Sequence, residues 1–139
     1  MAPMSVISVA SPRIAALRTA LTLAAATAAA AHVPVIAPHL DEAPYMGVLF
    51  VLFTGFCALV ALAAPRLDDP RLYAAAATVC GAGIVTYAAT RLVAFPQLAD
   101  DVGNWTEPLG LVSIAAEAVV VATAGALFRR AMAGRASPR

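Results

Sequence analysis

The sequence predicts an all-α, polytopic membrane protein: a bundle of four transmembrane helices built from two parallel helical-hairpin repeats. Three observations carry that prediction. Of the 139 residues, 62% are hydrophobic and only 12% charged, whereas soluble domains run near half apolar and about a quarter charged. Four apolar runs, at about residues 14–36, 45–64, 72–94 and 109–128, approach the roughly 20 residues needed to cross a ~30 Å hydrocarbon core. The few charges are also sorted along the chain in a way that alternates with those runs.

All nine basic residues are arginines, and against eight acids the net charge is only +1. No bulk field points to an acidic partner, and nucleic acid is not an expected one. Eight arginines precede or open the first run (Arg13, Arg18), fill the second connection (Arg66, Arg71) or follow the fourth run (Arg129, Arg130, Arg135, Arg139). The positive-inside rule makes that side cytoplasmic, so the expected location is the inner (plasma) membrane with both termini inside. The chain then reads as a single transmembrane domain, 1–139, with cytoplasmic tails 1–12 and 129–139. The other two connections hold Asp41, Glu42, Asp100, Asp101 and Glu107 and no arginine, with Tyr45 and Trp105 where an aromatic belt belongs.

The first span opens at Arg13 and runs through the alanine-rich stretch 24–31, whose small side chains permit close helix contact. A short apolar stretch ending in Ala29-Ala30-Ala31 before His32 also resembles a signal peptide with its cleavage site. Cleavage there would leave a histidine at the new N-terminus, a chelating arrangement for copper. Pro34 and Pro38 argue that the first helix ends near them. The second span starts at Pro44, a proline suited to a first helical turn, and its Phe50, Phe53 and Phe56 are expected to face lipid or a partner. Ala74 to Ala77, Gly81 and Gly83 give the third span a close-packing surface, so the first and third spans are expected at the centre of the bundle. The fourth span starts at Pro108, behind Thr106 and Glu107, either of which can cap its free amides, as Asp41 or Glu42 can for the second.

The repeat appears on shifting the chain by 58 residues, which lays Arg13-Ile14 on Arg71-Leu72 and Val35 to Leu40 on Val93 to Leu98. After a seven-residue insertion in the second copy, Glu42 meets Glu107, and a proline and a glycine follow in both: Pro44 and Gly47, Pro108 and Gly110. Each unit is a hairpin with both ends inside, so the two copies are parallel, which disfavours an inverted-repeat transporter. The counterpart of a genuine third span is not expected to be a discarded signal.

Polar residues inside the spans are the candidates for function. Glu117 lies about eight residues into the fourth span, ~12 Å along the helix, where a carboxylate faces the bundle interior and needs a partner or a proton. Arg91 is the one arginine near the acidic side. It lies on the neighbouring helix of the same hairpin, within reach of Glu117 or of Glu107. The two form either a register-fixing buried pair or part of a proton, ion or ligand site, unless Arg91 snorkels to headgroups. Tyr87, one turn from Arg91, lines the same region with Thr86, Thr90 and Ser113. These hydroxyls otherwise bond their own helix. His32, His39 and Asp41 supply ligand types for a transition metal ion, without a tight spacing motif. Haem is not expected, because both histidines come from one segment. Cys57 and Cys80 lie in apolar runs on different helices and lack a CxxC pairing, which argues against thiol redox chemistry.

The segments His39-Leu-Asp-Glu-Ala-Pro-Tyr-Met-Gly47, Thr90-Arg91, Phe95-Pro96 and Asn104-Trp-Thr-Glu-Pro-Leu-Gly110, together with Glu117, resemble those of small four-helix integral membrane proteins of high-GC actinobacteria. The resemblance covers about residues 32–118. It implies the architecture and marks His39, Glu42, Arg91, Glu107 and Glu117 as family-like positions, and it implies no reaction. An enzyme is not the expected class, since no nucleophile and base stand at a recognisable spacing. The expectation is an outward polar site of His39, Glu42, Arg91, Glu107, Glu117 and Tyr87 that binds a metal, proton or small ligand. The competing expectation is an accessory subunit of a homo-oligomer or larger membrane complex, its polar residues serving only register and capping.

Overall fold

The structure is a computed structural model that describes residues 11–136. Residues 1–10 of the expected N-terminal tail and Arg139 of the arginine cluster lie outside them. Four helices account for nearly all of the described chain: α1 (Pro12–Glu42), α2 (Pro44–Ala63), α3 (Pro70–Leu92) and α4 (Pro108–Ala136), with one short 3-10 turn at Ala99–Asp101. All four are long and apolar enough to cross a membrane, and no strand occurs among the described residues. Each opens on a proline, where the missing N–H costs nothing and the fixed φ suits the first turn.

The expectation that α1 ends near Pro34 fails. The helix runs through Pro34 and Pro38 to Glu42, a length of about 46 Å at 1.5 Å per residue. Both prolines, and Ala30 and Pro34, whose carbonyls lose their donor four residues on, lie on the exposed face of α1, so neither ring is forced against a neighbouring helix. Only Ala43 then separates α1 from α2, so Asp41 and Glu42 belong to α1 and do not cap α2. Gly47 makes this tight reversal feasible. A Cβ there would come within 2.6 Å of the Leu40 backbone nitrogen, so only glycine lets the two backbones meet.

Packing also departs from expectation. The neighbours are α1 with α2, α1 with α4 and α3 with α4, while α2 and α3 barely touch. The central pair is therefore α1 and α4, not the first and third spans, and Ala116 and Ala124 of α4 share one buried cluster with α1's alanines. The end holding Arg18, Arg66, Arg71 and Arg130, called here the arginine end, is sealed. Leu21, Ala24, Ala25 and Ala28 pack with Val60, Tyr73, Ala76, Val120, Ala124 and Leu127 in one buried cluster. Arg18 Nε donates to the Ala64 carbonyl at 2.9 Å, and the Tyr73 hydroxyl donates to Asp68 Oδ1 at 3.0 Å. Phe53 and Phe56 pack against this cluster rather than facing outward, and α2 turns Leu49, Leu52, Leu59 and Leu62 out instead.

At the opposite, acidic end, residues 93–107 fold back over the bundle. Leu98 is buried against Ala43 and Met46 at the α1–α2 reversal, the Tyr45 hydroxyl donates to the Pro96 carbonyl at 2.7 Å, and the Gly103 amide donates to the Arg91 carbonyl at 2.9 Å. The loop is thus a fixed roof.

Candidate functional site

Because the helices converge at the arginine end and α2 stands apart from α3, a cavity of about 530 Å³ remains under the roof. That volume lies within the ~300–1,000 Å³ range of small-molecule sites. Its walls are Phe50 and Phe53 of α2, His32 and His39 of α1, Gly83, Tyr87 and Arg91 of α3, and Gly110, Ser113 and Glu117 of α4, with Asp101 and Glu107 from the roof.

Arg91 is 7% exposed, and its Nη1 pairs with Asp101 Oδ1 at 2.7 Å while its guanidinium lies 4.4 Å from the centre of the Tyr87 ring. The expected partners Glu117 and Glu107 are not the ones it takes. Asp101 lies in the connection between α3 and α4. That connection folds into the 3-10 turn and brings its acid onto Arg91. Glu107 is occupied otherwise. Its carboxylate accepts from the Leu109 amide at 3.0 Å and from the Gly110 amide, the capping role expected for it.

Glu117, 3% exposed, is the deepest charged residue of the cavity. Its Oε1 accepts from the Ser113 hydroxyl at 2.6 Å, one helical turn away, and lies 4.0 Å from His32 Nε2. The Ser113 oxygen is 3.3 Å from His32 Nδ1 and 3.5 Å from Nε2, and Nδ1 is 2.8 Å from the Ala28 carbonyl. If Nδ1–H serves Ala28, then Nε2 faces the serine and the carboxyl group. Glu117 Oε2 has no hydrogen-bond partner, and neither has Arg91 Nε. With Thr54 Oγ1 they are the buried side-chain atoms without one among the described residues. Two of these three belong to residues lining the cavity. Gly83 is what admits the carboxylate: a Cβ there would sit 2.6 Å from Glu117 Oε2 and 3.1 Å from Phe53. Gly110 plays the same part for Tyr87, whose ring would be 2.5 Å from a Cβ.

His32 and His39 do share a face, since α1 continues past the prolines, and both rings pack against Phe50, His32 tilted at 5.2 Å and His39 edge-to-face at 4.8 Å between centroids. Each bonds its own helix through Nδ1, to Ala28 and Val35. Asp41 and Glu42 are exposed and outside the cavity. No three His, Cys, Asp or Glu side chains converge as a metal site among the described residues, so the expected His32, His39 and Asp41 set is not assembled. The Thr90 hydroxyl bonds the Tyr87 carbonyl at 2.8 Å, the backbone role anticipated for such residues. Cys57 and Cys80 are free and buried in one cluster.

Sequence reasoning missed Asp101 as the partner of Arg91, and Phe50 and Phe53 as cavity walls. Asp101 stands ten residues from Arg91 beyond the end of α3, and no local rule pairs the two. Nothing local distinguishes a lipid-facing phenylalanine from one lining a cleft. No known protein family, curated protein or solved structure matches the chain.

Chemically, the cavity offers apolar and aromatic walls, a neutralised arginine near the roof and, deepest, a carboxyl group with a hydroxyl and an imidazole on one oxygen and nothing on the other. Such a site can bind a small apolar molecule and hold or pass a proton.

Proposed function

We propose that this is a small inner-membrane protein, with both termini cytoplasmic and the acidic end outward, that binds a small, largely apolar molecule carrying one polar group in the cavity between α2 and α3. The observation that carries the reading is the unpartnered Glu117 oxygen in an aromatic-walled cavity. Leaving a buried polar atom without a partner costs about 1–3 kcal/mol, a cost that a bound polar group relieves. Under this reading the two hairpins are copies of one unit, and the inserted roof of the second copy is what turned a packed bundle into a site.

The test is binding of a neutral, environment-sensitive naphthylamine dye to the purified protein in nanodiscs. Saturable fluorescence enhancement is expected, lost when Ala82, an exposed cavity-lining residue of α3, is replaced by Trp. Enhancement equal to that of empty nanodiscs, or unaffected by Ala82→Trp, would overturn the reading.

A further inference from the structure

The roof decides how a ligand reaches the cavity. Leu98 and the Tyr45–Pro96 hydrogen bond fasten residues 93–107 onto the start of α2, and the ion pair with Asp101 fastens them onto α3. What stays open is the side, between α2 and α3. Leu49, 50% exposed, forms one lip, and Thr78, Ala82 and Thr86, exposed at four-residue intervals on one stripe of α3, form the other. In a bilayer this opening lies at hydrocarbon depth, so the occupant arrives dissolved in lipid.

Charge then narrows the chemistry. The acidic end holds Asp41, Glu42, Asp100, Asp101, Glu107 and Glu117 against Arg91 alone, and Arg91 is matched by Asp101. Glu117 therefore faces the cavity without a fixed positive partner among the described residues. The groups near it are Ser113 of its own helix, His32 of α1, the Cys80 thiol of α3 within electrostatic reach, and, across Gly83, Phe53 of α2, which does not titrate. A carboxyl group so placed in a membrane carries either a proton or a counter-cation. Phe50 and Phe53 add aromatic rings to the wall, and a ring's π face attracts a cation and repels an anion, as the Tyr87 ring already does for Arg91.

Building on the cavity reading above, we propose that the ligand is a lipophilic organic cation, an ammonium- or phosphonium-centred molecule that enters between α2 and α3 and exchanges with a proton on Glu117. In the exchange the carboxyl O–H bond breaks, the proton leaves to water, and the carboxylate becomes the counter-ion of the bound cation. No redox partner is needed.

The experiment compares tetraphenylphosphonium with its isosteric anion tetraphenylborate in zwitterionic nanodiscs, with the neutral dye as control. The phosphonium is expected to bind saturably, to release one proton per cation, and to weaken about tenfold per pH unit where Glu117 holds its proton. Glu117→Gln should reduce phosphonium affinity at least about tenfold and abolish the pH dependence, a larger loss than it causes for the neutral dye. His32→Gln should leave the pH dependence in place. Gly83→Ala, which crowds the carboxylate without removing it, should weaken the cation. Equal binding of phosphonium and borate, undiminished affinity in Glu117→Gln, or a pH dependence that vanishes with His32 would each overturn the proposal while leaving the cavity reading intact. Failure of the dye as well would overturn both.

Discussion

The two halves of this bundle are built from the same four helices and reach opposite outcomes. At the arginine end, alanines on α1 and α4 let the backbones approach until Leu21, Val60, Tyr73 and Leu127 are fully buried, and the charged side chains lie at the rim. At the acidic end larger and more polar residues take the alanines' place: His32, Phe50, Phe53, Tyr87, Arg91 and Glu117. There the helices splay around a cavity. Close packing requires small side chains at the contact. Where they give way to aromatic and ionisable residues, a cavity forms and its polar groups must find partners locally.

The contrast is broken most severely by removing a member of the pair that fastens the roof. Arg91→Ala should leave Asp101 without its cation and cost about 3 kcal/mol, read as a lowered unfolding midpoint in detergent. Asp101→Asn should do the same from the other side. The double variant should fall well short of the sum of the two, since the residues touch. Next, Leu127→Ala in the sealed half should cost about 2–3 kcal/mol, a cavity opened where none exists, without changing dye binding at the other end. Equal loss of dye binding would show that the halves are not independent.

Smaller effects sharpen the comparison. Glu107→Ala removes the acceptor for the Leu109 and Gly110 amides and should cost about 1 kcal/mol, with a modest loss of helix signal at the start of α4. At the far rim, Arg130 meets Asp68 at 3.5 Å with both side chains exposed. Arg130→Gln should therefore change stability by less than about 0.5 kcal/mol, measurable only as a null against the other variants.

How much of this was readable along the chain differs residue by residue. The four helices, the prolines that open α2 and α4, the capping role of Glu107 and the burial of Glu117 follow from local rules of hydropathy, φ restriction and hydrogen-bond supply, which act within a few residues. The site was partly legible: His32, His39, Tyr87, Arg91, Glu107 and Glu117 all line the cavity, whereas Asp41 and Glu42 do not. The partner of Arg91 was not legible, because it depends on how the loop after α3 folds back, and neither was the order of helices around the bundle.

The sequence by itself determined a chain of four apolar helices, with its charges sorted to the ends and one carboxylate left in the middle of the last. Those properties are sums over neighbouring residues and need no knowledge of packing. Only the tertiary structure decided that α1 continues through two prolines, that α1 and α4 rather than α1 and α3 share the centre, that Asp101 takes Arg91, and that Glu117 is left facing an open cavity. Each of these is set by which surfaces meet at a distance in the chain, and for apolar helices of similar composition many pairings look alike until side-chain volumes, down to the missing Cβ of Gly83, select one.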